Sequence, residues 1–272
     1  METRKIISAE PDSFAVYLRK IWQYRSLIGT FAKRDLQIKY AQTLLGLGWT
    51  ILQPAVAILV YTVFFTFIVK IPTGETHYVL FVLSGLTLWT LFSYIFSQGS
   101  YSLLNSQDII RKMAFPKIIL PFSKVLVGLT EFGVSFVLLT VAWAIWSRHL
   151  DWRVVLLPLP VLGVILFSLS LTLLLLAFSL KRRDLLHVGP FFVYFGIWFT
   201  PVFYPVSLIP EKYEEFIYLN PMAGMIDFFR WTIGIGHSFS PLFLVGFFVI
   251  LILFLVSVYL FKNKEDDIVD NI

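Results

Sequence analysis

Between residues 47 and 261 the chain returns six times to an apolar run that matches, or nearly matches, the thickness of a hydrocarbon core. Five runs, 47–69, 78–99, 118–146, 154–180 and 242–261, each approach or exceed the ~20 residues that an α-helix needs to cross it. The sixth, 188–205, is shorter and is interrupted near its end by Pro201 and Pro205. Only 14% of residues are charged and the mean hydropathy is +0.80, against roughly 25% charged in ordinary soluble domains. Lipid offers backbone groups no hydrogen bonds, so the runs are expected to be helical. The sequence therefore predicts one all-α polytopic membrane domain over 1–272, with six transmembrane helices of which the fifth is irregular.

Charge distribution sets the expected orientation, because Lys and Arg accumulate in cytoplasmic loops. With both termini cytoplasmic, all but five of the 22 basic residues (Lys70, Arg148, Arg153, Lys212 and Arg230) fall inside. The inner set includes Arg4 and Lys5, Arg19 to Lys39, Arg111 to Lys124, Lys181 to Arg183, and Lys262 with Lys264. The net charge of +5 is thus a mark of membrane topology and not of nucleic-acid affinity. No basic start, apolar core and small-residue cleavage site precede the first run, so no signal peptide is expected. The absence of cysteine removes disulfides, thiolate metal sites and thiol nucleophiles.

The segments between runs carry their own patterns. Tyr17, Ile21, Tyr24, Ile28 and Phe31 recur at helical spacing among basic residues, predicting an amphipathic interface helix over 14–43. Its apolar stripe is expected in lipid; packing on protein is the alternative. Within 101–117 a short polar helix is expected around Gln107 to Met113, and Lys181 to His187 forms a matching inner loop, either of which also reads as an ordinary positive-inside connection. On the outer side, 207–236 holds two helix starts, Pro210-Glu211 and Asn220-Pro221. In the second helix Met222, Met225, Ile226, Phe229 and Ile233 share one face, and Asp227 is spaced to pair with Arg230 on the other. A proline-broken helix at bilayer depth is tolerated where protein buries it or where it lines a wet cavity, so the segment is expected to form the outer mouth of a passage.

Catalytic signals are missing. There is no phosphate-binding Gly-x-x-x-x-Gly-Lys-Ser/Thr loop, and His77, His149, His187 and His237 sit singly in loops or at helix ends, so no metal site and no ATPase site is expected on this chain. Glu131 lies well inside the third run, where a carboxylate either has a functional role or is satisfied by a neighbouring helix. Aromatic residues are abundant: Tyr61, Phe64, Phe65 and Ile68 in the first run and Phe191, Tyr194, Phe195 and Trp198 in the fifth have helical spacing. They suit either a path for a sugar chain or plain packing. Tyr78, Trp143, Trp146 and Trp152 read as interfacial anchors.

Four segments, FAKRDLQIKYAQTLLGLGWTILQP (Phe31 to Pro54), LFVLSGLTLWTLF (Leu80 to Phe92), NSQDIIRKMAFPKIILP (Asn105 to Pro121) and TPVFYPVSLIPEKYEEFIYLNPMAG (Thr200 to Gly224), resemble the permease subunits of ABC type 2 transporters that export lipid-linked polysaccharides. The resemblance implies a homodimer in the bacterial inner membrane, with a channel between the two copies lined by Tyr61, Phe64, Phe65, Phe191, Tyr194, Phe195 and Trp198. It implies a gate at Tyr204, Pro205, Pro210, Tyr213, Asn220, Pro221 and Phe229. It also implies docking of two separate ATPase subunits, which bind ATP and Mg, near Arg25, Asp35, Gln107, Asp108, Arg111 and Lys112. Lys33, Arg34 and Lys39 are the candidates for receiving a lipid diphosphate, such as that of undecaprenyl-linked O antigen, at the inner mouth. An exporter of drugs or small lipids on the same fold, and a membrane-embedded glycosyl or acyl transferase, are the alternative functions.

Overall fold

The structure is a computed structural model of the 272-residue chain, and it describes residues 13–41, 43–46, 48–71, 77–146, 151–179, 182–235 and 242–271. The charges Arg4, Lys5, Arg148 and Lys181 and the histidines His149 and His237 lie outside these residues.

Among the described residues every regular element is a helix, and none is a strand. In order they form α1 (Phe14–Gln23), α2 (Arg25–Tyr40), α3 (Gly48–Val63), α4 (Tyr78–Ser100), α5 (Gln107–Lys112), α6 (Ile119–Trp146), α7 (Pro158–Ser179), α8 (Val188–Gly196), α9 (Glu211–Ile217), α10 (Pro221–Thr232) and α11 (Leu242–Asn271). Five stretches are long and apolar enough to cross a membrane: Gly48–Val69, Tyr78–Ser100, Ile119–Trp146, Trp152–Ser179 and Phe243–Glu265. The fifth predicted span is the short one, an apolar helical stretch over Asp184–Phe199.

α4 is the hub, packed between α6 and α7. Leu88, Leu91, Phe92 and Ile95 are fully buried there. Small residues let the backbones approach: a Cβ at Gly99 would lie 2.6 Å from Thr172 on α7, and one at Gly128 on α6 would lie 3.0 Å from Ile95. Several buried hydroxyls bond to the preceding turn, as Thr87 does to the Leu83 carbonyl at 2.7 Å and Ser168 to that of Val164 at 2.6 Å. α3, by contrast, leaves most of its apolar side chains exposed, and it ends in a π-helical turn over Phe64–Val69 that Lys70 closes in the left-handed conformation.

A second core lies at the end of the bundle that holds α1, α2 and α5, called here the basic end. The predicted interface helix is two helices, broken at Tyr24, and its apolar stripe does not face lipid. Tyr17 and Phe31 are buried with Ile110, Phe115, Ile118 and Phe261, and Ile21, Tyr24 and Ile28 pack against the same cluster. Amphipathic spacing says only that one face must leave water; the ends of α6 and α11 supply the cover here. The exposed large apolar residues of α1 and α2 are instead Val16, Leu18, Trp22 and Ile38.

Candidate transport path and outer mouth

At the end opposite the basic one, α8 gives way to a 3₁₀ turn (Ile197–Phe199) and then to extended backbone at Thr200. Pro201 causes the break, since it lacks an N–H and its ring disfavours a helical residue before it. The freed carbonyls are then capped from the neighbouring helices. Arg230 of α10 donates to Pro201 O at 2.7 Å and Val202 O at 2.9 Å, and Tyr78 of α4 donates to Phe203 O at 2.8 Å. The Asn220 amide donates to Thr200 Oγ1 at 2.9 Å, while its carbonyl oxygen accepts from Met222 N and so caps α10. The chain's own α4 and α10 thus satisfy the irregular backbone, so no water-filled passage is needed to account for it. Burial in protein is the operative case of the rule.

Arg230 departs most from the sequence reading. Charge distribution and spacing predict an outer-loop charge on a polar face with Asp227, yet only 4% of Arg230 is exposed, and it points into the bundle. Besides the two carbonyls, it donates to Phe81 O and to Ser84 Oγ, both at 3.1 Å, and its guanidinium lies 3.6 Å from the centre of the Phe81 ring. Asp227 accepts a hydrogen bond from Tyr218. Among the other predicted gate residues, Tyr204 is half-buried and donates to Trp198 O, Pro205 precedes the 3₁₀ turn Val206–Leu208, and Pro210 and Asn220 cap α9 and α10, with Pro221 the first residue of α10. Tyr213 is exposed on α9, but Phe229 is fully buried and faces no opening within the chain.

The aromatic faces divide likewise. Phe191, Tyr194 and Phe195 on α8 and Trp198 on the 3₁₀ turn after it form an exposed stripe, with Tyr194 70% accessible. Of the four aligned residues on the first span, Phe64 and Ile68 are exposed, whereas Tyr61 and Phe65 turn inward onto Phe203, with ring centroids 4.2 and 5.4 Å apart. The π-turn is the reason: its wider winding changes the angular step per residue, so the four positions do not keep one face. Phe203, which the sequence reading passed over, joins α3 to the broken segment and also meets Trp198 at 5.5 Å.

At the basic end, α2 runs beside α6 along a series of charge pairs. Arg34 and Lys124 both hold Asp35, Lys39 pairs with Glu131, and Tyr40 donates to the same Glu131 oxygen at 3.1 Å. Glu131 is therefore satisfied by neighbouring α2. It is also less deep than its position in the run implies: α6 has 28 residues, about 42 Å of helix against a ~30 Å core. With Trp146 at one interface, Glu131 comes within about 8 Å of the other. Of the three candidate diphosphate ligands, Lys33 is exposed, while Arg34 and Lys39 are engaged as described. Asp108, Arg111 and Lys112 are exposed on α5, Gln107 is half-buried, and Arg25 lies over the exposed Trp22 ring at 4.5 Å.

Glu265, also missed from sequence, ties this end together. Its carboxylate accepts from the Tyr17 hydroxyl of α1 and from the Lys117 backbone N–H before α6. Burial, reinforced by the adjacent Glu265 charge, pushes the Tyr17 hydroxyl well above the ordinary tyrosine range, so it remains a donor. Tyr101 and His187 Nδ1, 2.7 Å apart, link the two predicted inner loops.

Five helical stretches long and apolar enough to cross a membrane, with a shorter broken apolar segment, define a multi-pass membrane protein without a nucleotide-binding loop in its sequence. The chain belongs to the ABC-2 type transporter family, whose domain matches residues 26–234, from α2 to the end of α10. It is 29% identical over 260 residues to the O-antigen export system permease protein RfbA of Myxococcus xanthus, covering 94% of this chain and 98% of that one. It is 24% identical over 241 residues to an O-antigen export system permease protein RfbA of Klebsiella pneumoniae, covering 88% and 92%. It is 19% identical over 236 residues to the polysialic acid transport protein KpsM of Escherichia coli, covering 86% and 91%.

Proposed function

We propose that this chain is the channel-forming subunit of an ATP-driven exporter of lipid-linked polysaccharide, most consistent with undecaprenyl-diphosphate-linked O antigen, in the bacterial inner membrane. The near full-length likeness to O-antigen export permeases carries this reading. The exposed aromatic stripe of α8 supports it, since ring faces stack on sugar CH surfaces yet permit sliding. Two copies meet along α3 and α8 and enclose the path, and two ATPase subunits dock below against α5 and the exposed side of α1. Lys33, with its ammonium exposed, leads the reception of the diphosphate.

The test is genetic and biochemical. Cells lacking the protein are expected to accumulate carrier-linked glycan on the cytoplasmic side and to recover on complementation; unchanged glycan display refutes the reading. In the purified complex, Lys33→Ala is expected to weaken substrate-stimulated ATP hydrolysis several-fold with basal hydrolysis retained. Equal loss of both assigns Lys33 to ATPase docking.

A further inference from the structure

We propose that Arg230 is the positioning residue of the outer mouth: it fuses α10 and the 200–203 kink to α4 as one body, leaving α9 as the outer helix that moves during transport. The proposal rests on the exporter reading for the meaning of that motion, but its structural half stands alone.

Three observations carry it. The first is the completeness of the pin, in which all three guanidinium nitrogens donate, to acceptors on two separate stretches, Phe81 with Ser84 on α4 and Pro201 with Val202 on the kink. A planar fork of fixed donors holds several acceptors at once, which a lysine ammonium cannot do with the same geometry. The second is the space reserved for it. A Cβ at Gly85 would sit 2.9 Å from Arg230 Nη2 and 3.0 Å from Val202 O, so α4 carries a glycine where the pin and the kink press against it. The third is the contrast between the outer helices. α10 also packs on α7 and α11, with Phe228 stacked on Phe243 at 4.0 Å and Met222, Met225, Ile226 and Phe229 buried. α9 packs chiefly on the adjoining 206–208 turn and exposes Lys212, Tyr213 and Phe216. Segments with few buried contacts open at low free energy, and those anchored in the core do not.

Opening of the mouth therefore proceeds by movement of α9 and its leading turn against a fixed α10. The aromatic stripe of α8 ends on the immobile kink, so its last ring, Trp198, keeps its place beside Phe203 while the flap above it swings.

Hydrogen–deuterium exchange on the full-length permease with its ATPase partner, in lipid nanodiscs, tests this. In the unmodified chain the α9 amides should exchange at least about tenfold faster than those of α10, and ATP should change exchange in α9 alone. Arg230→Lys and Gly85→Ala should each speed exchange in α10 and 200–203 by about tenfold and extend the ATP response to α10. Equal protection of α9 and α10, or an ATP response already present in α10, overturns the proposal. Absence of any ATP response, with the α9–α10 contrast intact, counts against the exporter reading and leaves the pin standing. A disulfide provides the functional arm: a Cβ at Gly224 lies 3.8 Å from Phe243 Cα, so Gly224→Cys with Phe243→Cys locks α10 to α11 in a chain free of native cysteine. Export should be the same with this pair oxidised or reduced; loss on oxidation that reductant restores shows that α10 must move and refutes the pin.

Discussion

Tyr78 shows what a single hydroxyl does in this protein. It donates to the carbonyl of Phe203, a buried acceptor with no helical partner, so Tyr78→Phe leaves that oxygen unsatisfied at almost unchanged volume. The expected cost is about 1–3 kcal/mol, read as a lower melting temperature of the detergent-solubilised chain. Tyr40→Phe should cost less, because Lys39 still serves Glu131. The Lys39–Glu131 pair is partly open to solvent, with side chains 34% and 16% accessible, so its coupling in a double-mutant cycle should be about 1 kcal/mol. Neutralising only Lys39 should be worse than neutralising both, since it strands a carboxylate at the edge of the hydrocarbon. A coupling indistinguishable from zero would show that the pair does not hold α2 to α6.

At the scale of elements, the basic end is held by the C-terminal part of α11, which reaches α1 through Glu265. Glu265→Gln weakens the acceptor of both Tyr17 and Lys117, and protease cleavage in 14–40 is expected to rise several-fold with the spans intact. The Tyr17 hydroxyl titrates higher in the folded protein than in the unfolded chain, so the stabilisation it brings is fully present below the unfolded value of ~10 and declines above it. Protection of α1 should therefore persist to about pH 10 and fall beyond it, and Tyr17→Phe should remove that alkaline step. A proteolysis profile flat with pH in the native chain would contradict the assignment.

For the whole molecule, the question is which exposed apolar faces meet lipid and which meet the path. The chain has no cysteine, so single cysteines report without background. In the assembled transporter, Phe191→Cys and Tyr194→Cys on α8 should react with a membrane-impermeant maleimide at least about tenfold faster than Phe248→Cys or Ile252→Cys on α11, because a thiol in hydrocarbon stays protonated and unreactive. Similar slow labelling of both faces would put α8 against lipid and remove the aromatic path. Faster labelling of Tyr194→Cys when ATP is added would tie the stripe to the transport cycle.

Hydropathy and local cap signals alone determined the helical class, the five long apolar helices, the short broken segment and the two short helices that start at Pro210 and Asn220. These follow from local physics, since lipid forces intrachain hydrogen bonding and proline ends a helix wherever it falls. Partner choice was decided only in three dimensions. Spacing cannot say whether the Tyr17 to Phe31 stripe meets acyl chains or Phe115 and Phe261, and it cannot foresee that Arg230 turns inward to serve carbonyls roughly thirty residues earlier in the chain. Likewise helical spacing grouped Tyr61 and Phe65 with Phe64 and Ile68, whereas in the fold the rings of Tyr61 and Phe65 meet Phe203. A side chain's periodicity records that it must leave water, and the tertiary fold selects which surface receives it.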